Sequence, residues 1–129
     1  MAVRKQLSVT MENTPGTLAR MCGAFAANKV NILAFTSAEH EGKSLIRVIV
    51  DKVAPAKKAL EGIGYHHTQD EVLATRLPNR PGTIAAVAKR LGDAGINVDY
   101  AYCGAEPGSS QQLMVLSVSD FGRARKLVK

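Results

Sequence analysis

The chain has 129 residues and a formal net charge of +6, from 17 Lys and Arg against 11 Asp and Glu. Hydrophobic residues make up 46% and charged residues 22%, the balance of a soluble globular protein. No apolar run approaches the ~18 residues of a membrane span and the N-terminus has no apolar signal core, so neither membrane nor export is expected and the cytoplasm is.

Aromatics are 5% and Trp is absent, so aliphatic and Ala side chains have to build the core. Cys22 and Cys103 are far apart and in no metal or redox spacing, which points to reduced thiols and to no metal and no cofactor. The basic residues are scattered. Their densest cluster, Arg123, Arg125, Lys126 and Lys129, reads as solvated surface.

Along the chain, Gln6 to Glu12 alternates apolar and polar, with Leu7, Val9 and Met11 on one face, and predicts a strand. Asn13 to Gly16 turns the chain. Leu18, Met21, Cys22 and Phe25 then follow helical spacing and predict an amphipathic helix. Residues 31–37 predict a second strand and Ser44–Asp51 a third, with Ile46, Val48 and Val50 toward the core. Pro55 opens a short helix to about Glu61, and Ile63 to Gln69 predicts a fourth strand.

The pattern then repeats. Asn13-Thr14-Pro15-Gly16-Thr17-Leu18 returns as Asn79-Arg80-Pro81-Gly82-Thr83-Ile84, an offset of 66, and the same offset carries Asn31-Ile32 onto Asn97-Val98. Leu7, Val9 and Met11 map onto Leu73, Thr75 and Leu77, and the helix positions map onto Ile84, Val87, Ala88 and Leu91. Gly95 closes the second copy's helix, where the first copy has Asn28 and Lys29. Met114, Leu116 and Val118 match the third strand at an offset of 68, after a longer loop over residues 105–110. Residues 120–129 cover the second helix, and the fourth strand of this copy is absent.

The expected fold class is therefore α+β: two ferredoxin-like βαββαβ units in tandem, residues 1–69 and 70–129, each an antiparallel sheet with its helices on one face. The uncovered edge of the second unit is expected to be taken by another strand, from this chain or a partner. The link between Gln69 and Val72 is so short that the strands on either side must end and begin close together.

The repeated loop has chemistry of its own. Asn at a helix start accepts backbone N–H groups, Pro in the first turn costs no hydrogen bond, and Gly lets a backbone or ligand approach. The N–H groups of Gly16 and Thr17 lie at the positive end of a helix, which attracts carboxylates. Asn31 offers both donor and acceptor. A capped helix with no ligand explains the same residues, as do turn-forming asparagines at 31 and 97.

At these residues the chain resembles the ACT domain family, whose pattern is Asp/Asn-x-Pro-Gly-x-Leu, an amphipathic helix, then Gly-Ile/Val-Asn-Ile. The matches are Asn13 to Leu18 with Lys29-Val30-Asn31-Ile32, and Asn79 to Ile84 with Gly95-Ile96-Asn97-Val98. Lys29 departs from the family's Gly. The resemblance implies a non-catalytic regulatory module that pairs with another such unit, as a homodimer, and binds an amino acid or similar small effector where units meet. Its ligand-binding residues would be Asn13, Thr14, Pro15, Gly16, Thr17, Leu18, Asn31 and Ile32, and Asn79, Arg80, Pro81, Gly82, Thr83, Ile84, Asn97 and Val98. A target enzyme would receive the signal; a regulatory subunit without a ligand of its own is the alternative.

An enzyme is not expected. His66 and His67 are adjacent on a strand and point to opposite faces, so they do not share a metal. No nucleic-acid partner is expected either, because the third strands lack the aromatics of RNA-recognition sheets; Tyr100 and Tyr102 on a second strand are the only hint of stacking.

Overall fold

The computed structural model describes residues 2–128. Its elements are β1 (Ala2–Glu12), α1 (Thr17–Ala27), β2 (Ile32–His40), β3 (Lys43–Val50), α2 (Val53–Gly62), β4 (His66–Pro78), α3 (Thr83–Asp93), β5 (Val98–Gly104), β6 (Gln111–Val118) and α4 (Phe121–Leu127). The strands form an antiparallel sheet in the order β2-β3-β1-β4-β6-β5.

The chain divides into two compact units. One is Lys5–Asp70; the other joins the first residues, up to Arg4, to the stretch from Glu71 onward. In the unit Lys5–Asp70 the order β2-β3-β1-β4 is that of a ferredoxin-like βαββαβ sheet. Leu7, Val9 and Met11 on β1 and Ile46, Val48 and Val50 on β3 pack with Met21 and Phe25 of α1 and Ala56, Ala59 and Leu60 of α2. The expected helical stripe is narrower than its sequence spacing: Leu18 is 37% exposed and Cys22 half-buried.

The other unit repeats this architecture. Leu73 and Leu77 of β4 and Met114 and Leu116 of β6 pack with Val87 and Leu91 of α3 and with Ala124, while Ala88 is exposed. Even the register is copied. Leu7 pairs with Val48 and Val9 with Ile46; Leu73 pairs with Leu116 and Thr75 with Met114. Both second strands carry a bulge at the same place, between Ile32 and Ala34 and between Val98 and Tyr100.

The fourth-strand position of the second unit is not empty. β1 is the neighbour of β4 on the side away from β6, and Ala2–Arg4 belong to that unit. The covering strand thus comes from this chain. Likewise β4 is one continuous strand where two strands and a link were expected. The residues from His67 to Val72 include no Gly or Pro, so nothing there ends a strand. Its first residues complete one unit and its last ones open the other.

Helix ends explain the repeat's punctuation. Lys29 (φ 58°) and Gly95 (φ 72°) both take the left-handed conformation. Val30 N–H then donates to Phe25 O at 2.9 Å and Lys29 N–H to Ala26 O at 3.0 Å; Ile96 to Leu91 and Gly95 to Gly92 repeat the pair at 2.9 and 3.0 Å. Both are Schellman motifs. The left-handed residue of the first copy is therefore Lys29, while Asn28 sits before it at φ −99° and donates its side-chain amide to Ala24 O.

Candidate functional site

Each repeated loop is a type II turn leading into a helix. Pro15 and Pro81 take the second turn position and Gly16 and Gly82 the third, at φ 91° and 94°. Thr17 N–H closes the first turn onto Thr14 O at 3.4 Å, and Thr83 N–H closes the second onto Arg80 O at 3.3 Å. The glycines are thus required by the backbone, and open space surrounds the place where a Cβ would stand at each. The helices begin at Thr17 and Thr83, so the prolines lie in the turn before them rather than in the first helical turn.

The asparagines do not cap. Asn13 Oδ1 accepts from the Ser44 hydroxyl at 3.1 Å, and Asn79 Nδ2 donates to Ser109 O at 2.8 Å. Each ties its loop to the start of the third strand of its unit. Neither α1 nor α3 has a side-chain cap, and the first N–H of each, from Thr17 and Thr83, is used in closing the turn. α4 is different: Asp120 accepts from Arg123 N–H. α2 also starts without a side-chain cap, so the bare end alone does not distinguish the loops. The Thr17 hydroxyl is spent within its own loop, 2.8 Å from Glu12 O and 2.9 Å from Thr14 O.

Asn31 and Asn97 again occupy matching places. Asn31 N–H donates to Asp51 Oδ1 at 2.8 Å, and Asn97 N–H donates to Ser119 Oγ at 3.0 Å. The side chain of Asn97 donates to Asp99 Oδ1 at 2.9 Å. Both asparagines are exposed; Ile32 and Val98 are half-buried and pack on the cores of their units. Asn13, Thr14, Pro15, Gly16 and Leu18 are exposed, as are Asn79, Arg80, Pro81 and Gly82; Thr17, Thr83 and Ile84 are half-buried.

A cavity of about 390 Å³ opens beside the second loop, lined by Arg80 to Thr83 together with Leu77, Ala86 and Arg90. One of about 350 Å³ lies beside the first, lined by Glu12, Thr17, Arg20, Lys43, Tyr65 and His66. Glu12 and Lys43 pair across it at 2.6 Å. Asn31 and Asn97 line neither cavity. Tyr65 carries no signal in the repeat, because its counterpart would fall past residue 129.

The chain matches, over residues 1–128, the family described as an ACT domain pair. It belongs to that family. A protein from Bacteroides thetaiotaomicron superposes on this ACT domain pair with a TM-score of 0.90 at 28% identity, covering 98% of this chain and 86% of its own. The regulatory subunit of aspartate kinase from Thermus thermophilus, in its ligand-free form, superposes with a TM-score of 0.75 at 14% identity, covering 98% and 93%. The corresponding subunit from Thermus flavus gives 0.65 at 15% identity, covering 89% and 84%. At these two lower identities the likeness establishes the fold. No curated protein matches the chain.

Among the described residues no three His, Cys, Asp or Glu side chains gather as a metal site, and no helix is long and apolar enough to cross a membrane. Cys22 and Cys103 are free thiols. Of the C-terminal basic cluster, Arg123 is not merely solvated: it donates to Ala94 O at 2.7 Å. Lys129 lies outside the described residues.

Proposed function

We propose that this ACT domain pair is a non-catalytic regulatory module that binds an amino acid, or a similarly small zwitterion, at its two Asn-x-Pro-Gly-Thr loops. The observation that carries this reading is the state of the loops. Two copies hold a helix N-terminus behind a Pro-Gly turn, with the nearby asparagine turned to the third strand instead of onto the helix. That leaves the positive end of each helix without a side-chain cap, a favourable place for a carboxylate even though the Thr17 and Thr83 N–H groups close the turns. Asn31 and Asn97 then serve as the polar partners of the ammonium group.

The fold neighbours named as regulatory subunits of aspartate kinase favour a partner enzyme in amino-acid metabolism as the receiver of the signal, with the chain acting in the cytoplasm. A homodimer completes the reading. In the unit Lys5–Asp70 the outer strand β2 leaves Leu33 and Phe35 exposed by 42% and 46%, an apolar edge suited to a second copy.

A thermal-shift screen against the twenty amino acids at millimolar concentration tests the effector. A ligand at 100 times its Kd adds about 2.7 kcal/mol to the folded state. At least one amino acid is expected to raise the Tm, less so in Asn31→Ala or Asn97→Ala. Valine in place of Gly16 or Gly82 is a poor probe, since the left-handed backbone itself opposes it. A screen with no shift leaves the module without an effector and refutes the reading. Sedimentation at monomer mass refutes the homodimer.

A further inference from the structure

The cavity of about 350 Å³ in the unit Lys5–Asp70 stands apart from the Pro-Gly loop beside it. Of the residues from Asn13 to Leu18 only Thr17 lines it, and the Thr17 hydroxyl is already spent on Glu12 O and Thr14 O. Its other walls come from the end of β1, from Arg20 on α1, from the start of β3 and from the turn between α2 and β4.

That turn holds one side chain still. Gly64 takes the left-handed conformation at φ 74°. Its N–H donates to Glu61 O at 3.1 Å, and Tyr65 N–H donates to Leu60 O at 3.0 Å. α2 thus ends in the same Schellman motif as α1 and α3. Tyr65 packs on the core of its unit, and its hydroxyl donates to the Thr17 carbonyl at 2.9 Å. The guanidinium carbon of Arg20 lies 5.5 Å from the centroid of this anchored ring, a cation–π contact. The stacking places the guanidinium without using its N–H donors.

Three basic side chains reach the cavity from three elements: Arg20 from α1, Lys43 from β3 and His66 from β4. Among the described residues, neither the Arg20 guanidinium nor the His66 imidazole has a hydrogen bond or an ion pair. Lys43 Nζ donates to Glu12 Oε1 at 2.6 Å, which leaves two of its three N–H groups. Glu12 is the one carboxylate on the described wall, and Lys43 offsets it. Arg20 therefore makes the site positive before any proton on His66 is counted. The set is not a by-product of the repeat. The positions of Glu12 and Arg20 carry Pro78 and Ala86 in the second copy, and that of Lys43 carries Gln111.

We infer that this cavity binds a small phosphate monoester. A guanidinium fork offers a phosphate two parallel N–H donors, and Lys43 and His66 add donors for its remaining oxygens. A carboxylate has only two oxygens and uses fewer of them. The volume lies at the low end of the roughly 300–1,000 Å³ of small-molecule sites, which suits a phosphorylated metabolite of few carbons. The site needs neither Asn31 nor the turn residues Asn13 to Gly16, so it stands or falls separately from the amino-acid reading of the loops.

Calorimetric titration of the full chain at fixed ionic strength with inorganic phosphate, glycerol 3-phosphate and succinate tests it. Both phosphates are expected to bind, and succinate at least about tenfold more weakly. Arg20→Gln and His66→Gln, at exposed positions, are each expected to weaken glycerol 3-phosphate by at least about tenfold, the worth of a charge-assisted hydrogen bond, with far-UV circular dichroism unchanged. Arg20→Lys keeps the charge but loses the fork, and is expected to weaken it by about threefold or more. Glu12→Gln removes the opposing carboxylate and is expected to tighten binding by about threefold. Arg125→Gln, on α4 and outside the cavity, leaves the affinity as it was. Succinate binding as tightly as the phosphates overturns the ligand class. Phosphate binding that ignores both Arg20→Gln and His66→Gln, or that falls equally with Arg125→Gln, overturns the site. Silence toward both phosphates at millimolar concentration overturns the inference, while the amino-acid screen still decides the loops.

Discussion

Lys29 and Gly95 close α1 and α3 with the same left-handed backbone, but only the glycine does so without a Cβ clash. The Schellman hydrogen bonds and the burial of Val30, 6% exposed, hold the lysine in place. Lys29→Gly is therefore expected to stabilise the protein by about 0.5–1 kcal/mol in urea unfolding, after allowing for the freer unfolded chain. Gly95→Lys is expected to lower stability by a comparable amount. The loop residues were legible in the same partial way. Asn-x-Pro-Gly-Thr announced a turn before a helix, and the Pro-Gly pair carried the signature of a type II turn. What the asparagines bond was not legible, because Ser44 and Ser109 lie some thirty residues away in the chain and become neighbours only through strand pairing. Tyr65 was hidden for a related reason: its counterpart lies outside these 129 residues, so the repeat does not mark it.

At the scale of elements, α3 and α4 hold each other by their ends. Arg90 of α3 donates to the Leu127 carbonyl at the end of α4, and Arg123 of α4 donates to the Ala94 carbonyl at the end of α3. Each cation satisfies carbonyls that a helix terminus leaves open and sits at the negative end of the other dipole. The seven-residue α4 is short for a helix, so its cap counts. Asp120→Ala removes the hydrogen bond to Arg123 N–H and is expected to cost about 1 kcal/mol, read as a lower midpoint in urea. The exposed Asp120–Arg123 ion pair at 3.7 Å adds little to that figure. Periodicity located all four helices and most strand boundaries within a few residues, since alternation and helical spacing are local properties. It split β4 into two strands because the repeat suggested a joint at Asp70, although the residues there lack the turn chemistry to make one.

For the molecule as a whole, the unit beginning at Glu71 includes Ala2–Arg4. Deleting Ala2–Arg4 is expected to expose the backbone of β4 where it runs beside these residues, beyond Asp70. Hydrogen exchange read by mass spectrometry should show faster exchange across that segment, with β3 retaining its protection. Unchanged protection of β4 beyond Asp70 would mean that Ala2–Arg4 do not complete the sheet. Sequence reasoning reached the need for a covering strand from the missing fourth strand of the second copy. It did not reach its source, because edge pairing over such a separation leaves no periodic trace.

That borrowed strand also sets a timetable. The residues that complete the second unit, Ala2–Arg4, are made before the whole of the unit Lys5–Asp70, and their partner β4 ends at Pro78. Synthesis proceeds at about 5–20 residues per second, so several seconds separate the making of the two edges. The unit Lys5–Asp70 has all its own strands by the time Asp70 emerges and can fold during translation. The second unit can close only after α4 has been made, with the opening residues kept free until then. A nascent-chain arrest series should show protease resistance arriving in two steps, the second only once α4 has left the ribosome.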